Sequence, residues 1–103
     1  MSDGNNNETA TSTPGEIGES YWERGERDAV TAILRTGAEK DPILQFFHFA
    51  HLPMPLADVS FTFARQACFI RENVPGGPER TVAFRKLLES KDAAVRAKLA
   101  PPR

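Results

Sequence analysis

The chain has 103 residues, a formal net charge of −1 and a single cysteine. This length allows at most one domain, and one cysteine excludes both an internal disulfide and a cysteine-based metal cluster. No apolar stretch approaches the roughly 20 residues that span a bilayer, and no secretory signal precedes the domain, so we expect a cytoplasmic protein without membrane partners.

Charge and apolar residues are unevenly distributed along the chain. Residues 1–23 hold five acids and no base, whereas residues 79–103 hold seven bases and three acids. Residues 1–19 also contain no aromatic side chain, which is typical of chain that cannot bury a core. We therefore predict a disordered acidic tail over residues 1–19, N-terminal helical segments over residues 20–53 and a helical hairpin domain over residues 54–100.

Two helices are predicted in the N-terminal part. Ser20–Glu23 has the form of a capping box and predicts a first helix from about Tyr21 to Thr36, which Gly37 would end. Asp41-Pro42 has the form of a second helix start and predicts a short helix to about Phe49, before two prolines break the chain.

Two long helices are predicted in the C-terminal part. Apolar residues at helical spacing predict a helix from Leu56 to Val74, and the Pro-Gly-Gly-Pro sequence that follows is typical of a chain reversal. Pro78 suits the first position of the last helix, and Glu79 complements its positive end. The first of these helices is predicted to pack along a heptad-like seam of Leu56, Val59, Phe63, Ala67, Ile70 and Val74.

Several apolar side chains of this helix lie off the predicted seam, namely Phe61, Ala64, Cys68 and Phe69. A two-helix hairpin has no second internal surface that would cover them, and a rod of this size is too small to be stable alone. We therefore predict an all-α homo-oligomer, with residues 20–52 draped over the hairpin or over a neighbouring subunit.

Two histidines and the lone cysteine are the side chains of this sequence that could bind a metal or take part in redox chemistry. His48 and His51 stand three apart and could share a metal, but no third or fourth ligand is evident, so we expect hydrogen bonding or helix capping and no metal. Cys68 is expected to be a buried small apolar residue.

Aromatic and basic residues suggest how an anion could be bound. Phe46, Phe47 and Phe49 are more rings than one face of a short helix can bury, so one ring is expected at an interface or a ligand, with core packing as the alternative. Lys91 stands at the edge of the apolar stripe of the last helix, where a lysine either extends to solvent or is held for an anion.

No sequence signal supports catalysis. A phosphate-binding loop of Walker type, a nucleophile beside a base and clustered carboxylates are all missing from the sequence. We expect a non-enzymatic protein without a cofactor. The basic last helix favours a small phosphorylated ligand or an acidic partner over DNA or RNA.

The run from Glu79 to Ala97, together with Phe47–Pro53 upstream, resembles the small hairpin proteins of bacteriophages. That family includes anti-CBASS and anti-Thoeris sponges, which sequester the cyclic nucleotide signals of bacterial immunity. The resemblance covers roughly residues 43–99. It implies a helical hairpin that assembles into a homo-oligomer, often a hexamer, with nucleotide pockets between subunits and binding without cleavage.

The resemblance also implies site residues. The family's base-stacking aromatic falls on Phe49, and a family hydroxyl near a second pocket matches Thr62. The family's phosphate-pairing cation falls near Ser60, which carries no charge, so Arg65, Arg80 and Arg96 are the available substitutes. The predicted ligand-binding residues are Phe49, Ser60, Thr62, Arg80 and Arg96.

These observations lead to one predicted function and one alternative. The first is a phage-encoded, non-enzymatic sponge that binds a cyclic oligonucleotide or related immune signal in the host cytoplasm. The alternative is an oligomeric helical interaction protein that binds a host or phage protein and no nucleotide. Fold alone does not decide between them.

Overall fold

Three α-helices and one 3-10 helix make up 77% of residues 20–100, which the computed structural model describes. They are α1 (Arg24–Gly37), the 3-10 helix (Pro42–Phe47), α2 (Met54–Asn73) and α3 (Pro78–Leu99). Within residues 20–100 there is no strand, so the predicted all-α class is confirmed. The tail predicted over residues 1–19 lies outside the described residues.

The start of α1 differs from the prediction. The helix begins at Arg24, and Glu23 at its N-cap makes no side-chain hydrogen bond to it. Ser20 does not cap this helix, because its hydroxyl donates to Asp58 Oδ1 of α2 at 2.6 Å and accepts the Trp22 N–H at 3.0 Å. The predicted capping box is therefore wrong, and the residues before α1 are fixed by a carboxylate from another helix.

The segment after α1 forms a 3-10 helix that ends at Phe47, where a helix to about Phe49 was predicted. Leu44 and Phe47 are three residues apart, so they share one side of a 3-10 helix, and both are fully buried. Gly37 allows this segment to approach α2 closely. A Cβ atom at Gly37 would lie 2.6 Å from Arg71 Nε and 2.8 Å from Leu44 Cδ1.

The buried face of α2 is not the predicted seam. Of the seam residues only Ala67 is buried, while Phe63 and Ile70 are half-buried beside the groove between α2 and α3. The reason is that α1 and the 3-10 helix also pack on α2, and they cover its other face. The buried residues of α2 are Ala57, Ser60, Phe61, Ala64, Ala67 and Cys68.

This packing covers most of the apolar side chains on which the prediction of self-association was based. Phe61, Ala64 and Cys68, which were predicted to need a neighbouring subunit, are covered within the chain. The ring centroid of Phe61 lies 5.1 Å from that of Trp22, so the residues before α1 take part in this cover. Only Phe69 of that set stays largely exposed, at 59%.

The turn between α2 and α3 has the chemistry expected of it. Gly77 has φ 156° and ψ −179°, a backbone conformation that other residues rarely adopt. Pro78 and Glu79 occupy the first turn of α3, as predicted. The helix that follows packs on α2 more extensively than any other element of the described chain, yet Phe84 is its one buried residue.

Candidate functional site: a basic cleft beside α3

Two of the predicted ligand-binding residues, Phe49 and Ser60, lie in the core. Phe49 is 2% exposed, and its ring meets Phe61 edge to face, with the centroids 5.0 Å apart. Ser60 is fully buried, and its hydroxyl has no hydrogen-bond partner among the described residues. A base could not stack on Phe49 while the core is closed, so the structure does not support either residue as a ligand contact.

Arg80 is occupied by the protein itself. Its guanidinium donates to the carbonyl oxygens of Arg71 and Val74 at 3.2 and 3.0 Å, and to Asp41 Oδ1 at 3.0 Å. The side chain is 16% exposed, and its guanidinium carbon lies 5.5 Å from the ring centroid of Phe84. Arg80 thus satisfies carbonyl groups at the end of α2 and joins them to the segment before the 3-10 helix. This is a structural role rather than that of a free phosphate-binding cation.

Thr62 lies on the outer face of α2. It is exposed, and its hydroxyl donates to the carbonyl oxygen of Val59 at 2.7 Å. It lines the grooves that run on either side of α2, not the cleft that contains Arg96. The five predicted residues therefore do not form one site.

Arg96 lies in a cleft between α3 and residues 45–52, which we call the basic cleft. Its volume is about 390 Å³. Four of its lining side chains are basic or imidazole groups, and a fifth is an exposed ring. The lining residues are Gln45, Phe46, His48, His51, Leu52, Lys91, Asp92, Val95 and Arg96.

One wall of the basic cleft is built by alternate burial along residues 46–49. Phe47 and Phe49 enter the core, whereas Phe46 is 56% exposed and His48 is half-buried. The 3-10 helix ends at His48, whose backbone has the polyproline-type angles φ −59° and ψ 142°. The two buried rings therefore hold Phe46 and His48 in the cleft wall.

The other wall is one face of α3. Lys91 and Val95 are four residues apart, as are Asp92 and Arg96, which places these side chains together on one surface of the helix. Lys91 Nζ lies 3.0 Å from Asp92 Oδ1, and the lysine side chain is only 15% exposed. The ammonium group is thus held inside the cleft rather than extended into solvent.

The charges of the cleft favour an anion. Lys91 and Arg96 contribute two positive charges and Asp92 one negative charge, which leaves one positive charge in excess when both imidazoles are neutral. A guanidinium and an ammonium are the usual partners of phosphate and carboxylate groups, and imidazoles add hydrogen-bond donors. Phe46 offers a ring face on which a heterocycle can stack.

The two histidines have no cluster of further candidate metal ligands around them in the described part of the chain. Among residues 20–100 no group of three or more histidine, cysteine, aspartate or glutamate side chains is placed to hold a metal ion. His48 and His51 both line the cleft, where they can donate or accept hydrogen bonds.

Most of the cleft residues stand out in the sequence, although the predicted ligand contacts do not include them. His48, His51, Lys91 and the cluster of phenylalanines were each recognised as unusual, but only Arg96 was predicted as a ligand contact. The signal that connects them is the close spacing of the rings at the end of the 3-10 helix, because burial of Phe47 and Phe49 leaves Phe46 and His48 to line the cleft.

Within residues 20–100, no helix combines the length and the apolar character needed to cross a membrane. Comparisons with known proteins found no matching family model, no matching curated protein and no matching solved structure. The resemblance to phage sponges therefore stays a prediction, and the chemistry of the basic cleft carries the functional argument.

Proposed function

We propose that this protein is a non-enzymatic binding protein for a small phosphorylated ligand of nucleotide type, and that the basic cleft is its binding site. One observation carries the proposal. The cleft places Lys91 and Arg96 beside two imidazoles and the exposed ring of Phe46. A nucleotide has the matching chemistry, because its phosphate pairs with cations while its base stacks on an aromatic ring.

The proposed biological role is that of a sponge, which holds a cyclic oligonucleotide or related immune signal of the bacterial host without cleaving it. The resemblance of residues 43–99 to phage hairpin proteins supports this role. In the revised site, Phe46 takes the stacking role that was predicted for Phe49. Lys91 and Arg96 take the phosphate-pairing role, which Arg80 cannot fill because it is bonded to the end of α2.

Assembly of hairpin subunits into a homo-oligomer is part of the proposal. Exposed apolar side chains outside the cleft support it, above all Phe69. The same side chain favours the second candidate function, an oligomeric interaction protein that binds a host or phage protein and no nucleotide. In that case the basic cleft would meet an acidic segment of the partner.

Calorimetric titration tests the first function directly. The full chain is titrated with a panel of cyclic di- and trinucleotides and adenosine-diphosphate-ribose signals, and the bound ligand is recovered by heating. We expect one member to bind tightly and to be recovered intact. Recovery of a cleaved product would overturn the non-enzymatic proposal, and a folded protein that binds no member would favour the interaction-protein function.

Variants of the cleft locate the site. Lys91→Ala and Arg96→Ala should each weaken binding about tenfold or more, because each removes a charge-assisted hydrogen bond to phosphate. Arg85→Ala is the matched control, since it removes an exposed cation of the same helix that does not line the cleft and lies about three turns from Arg96 and nearly two turns from Lys91. Equal loss with all three variants would indicate a general effect of net charge and would contradict a built site.

A further inference from the structure

We infer that the outer face of α2 is a homodimer surface, on which a second copy of this chain packs its own α2 in antiparallel orientation. We define this face by Thr62, Gln66, Phe69 and Asn73, which follow one another at steps of four, three and four residues and are all exposed. The inference rests on the homo-oligomer of the proposed function and names its contact surface, but it does not depend on the basic cleft, which lies on a different part of the molecule.

The face is a ridge between two grooves, which leaves its side chains accessible to another helix. Grooves of about 400 Å³ and about 640 Å³ run along its two sides, toward α1 and toward α3. Thr62 and Gln66 line both grooves, so the α2 face forms the ridge between them. Phe69 is 59% exposed on this ridge. A large aromatic ring near the centre of a helix face is the kind of side chain that dominates interface energies.

The residues that flank the ridge match those of a second copy when the two helices run antiparallel. Arg65 and Glu72 are seven residues apart on the side toward α1. In an antiparallel pair, identical heptad positions on one flank face each other, so Arg65 of each copy meets Glu72 of the other. Because a two-fold axis relates the two copies, the seven-residue spacing of Arg65 and Glu72 gives two equivalent ion pairs.

The opposite flank is complementary in the same register. Phe63 and Ile70 are also seven residues apart, lie on the side toward α3 and are half-buried. The antiparallel pair brings Phe63 of one copy to Ile70 of the other. Within the ridge, Phe69 then stands opposite Gln66. A single register thus pairs the charged residues of one flank, pairs the apolar residues of the other flank and covers the exposed ring of Phe69. A second copy of this chain supplies all three matches, and for this reason we infer a second copy rather than an unrelated partner.

Arg65 is already held in place for such a contact. Its Nε atom lies 3.2 Å from Glu26 Oε2, and its guanidinium carbon lies 5.4 Å from the ring centroid of Trp22. These contacts reduce the conformational freedom that the side chain would lose on association.

Charge reversal tests the inference. The native full chain is expected to have the mass of a dimer, or of a larger assembly built from dimers, by multi-angle light scattering. Glu72→Arg places two arginines together at each pair, and Arg65→Glu places two glutamates together, so each variant alone should lose this dimer contact. An equimolar mixture of the two variants should recover it, because the mixed dimer restores opposite charges at both pairs.

Circular dichroism of each variant checks that the helices persist, and Phe69→Ala gives a second, uncharged probe that should also weaken the dimer. Asp28→Arg is the matched control, since it reverses an exposed charge on α1 away from the ridge, and it should leave the mass unchanged. A monomeric native chain would overturn the inference. So would an oligomer that survives Glu72→Arg and Phe69→Ala, or single variants that fail to associate when mixed.

Discussion

The helices α2 and α3 have similar lengths, 20 and 22 residues, but they differ sharply in burial. Six residues of α2 are buried, whereas Phe84 is the one buried residue of α3. The difference follows from their neighbours, since α1, the 3-10 helix and α3 all pack on α2. A helix surrounded in this way gives its side chains to the core, while a peripheral helix leaves most of its side chains exposed or half-buried.

The contrast continues within α3. Its N-terminal half contains the anchors Arg80 and Phe84, while Lys91, Val95 and Arg96 of the other half form one wall of the basic cleft. Changes in α2 are therefore expected to alter stability, and changes in the second half of α3 are expected to alter binding.

Phe61→Ala is the strongest test of the central position of α2. The ring is fully buried and contacts both Trp22 and Phe49, so its removal should lower the free energy of unfolding by about 3–5 kcal/mol. Chemical denaturation measures this loss. Leu99→Ala, at an exposed position of α3, is the control and should change stability by less than about 0.5 kcal/mol. Similar losses for the two variants would break the comparison.

Two arginines of α3 test the contrast between its halves. Arg80→Ala leaves carbonyl oxygens at the end of α2 without their donor and leaves Asp41 with its ion pair to Arg71 alone, so we expect a loss of about 1–3 kcal/mol of unfolding free energy. Arg96→Ala should change stability by less than about 0.5 kcal/mol. Thermal and denaturant unfolding of the two proteins provide the measurement, and an unchanged Arg80→Ala protein would contradict the structural role.

Two glycines of α1 test how closely this helix and its neighbours approach α2. Gly37→Ala should destabilise the fold by about 1–3 kcal/mol, because the added Cβ would lie within 3 Å of Arg71 and Leu44. Gly25→Ala meets nothing within 4 Å and should stabilise the protein by about 0.5–1 kcal/mol through helix propensity. Chemical denaturation of the two variants gives their midpoints, and equal m-values allow the difference in midpoint to be read as a difference in stability. Stabilisation by both alanines would show that the contact at Gly37 is loose.

Ser60→Ala is expected to have the smallest effect. The hydroxyl is buried without a partner among the described residues, so its removal should be neutral or should stabilise the fold by up to about 1 kcal/mol. Differential scanning calorimetry can detect the shift. A clear loss of stability would mean that Ser60 has a bonding role in the folded protein.

Sequence reasoning succeeded where the signal was local. Pro78, Glu79 and Gly77 determine how α3 begins, and each acts through its own backbone or charge. The start of α1 could not be found in this way, because Asp58, 38 residues beyond Ser20, accepts the hydrogen bond that a helix cap would have used.

The prediction of the packing face of α2 was wrong for a related reason. Phe63 and Phe61 are equally apolar, and spacing alone does not say which face meets the larger neighbouring surface. The answer depends on Leu44 and Phe47, which enter the core from a segment that the sequence predicted only as a short helix. The same segment forms a wall of the basic cleft, so the burial of Phe49 and the exposure of Phe46 depend on the same packing, which spacing along the chain does not give.

The chemical reactivity of Cys68 can report when α1 separates from α2. The thiol is buried between α2 and α1, with its sulfur 3.8 Å from the carbonyl oxygen of Val30, and burial together with the nearby Glu72 carboxylate raises the pKa of Cys68 to about 11. It is therefore protonated and shielded from a thiol reagent at pH 8 while the helices are closed. Above pH 9 the unfolded chain releases this proton before the folded one does, so stability should decline as pH rises toward 11. At neutral pH, the rate at which Cys68 is labelled would report how often α1 detaches from α2, without any engineered probe.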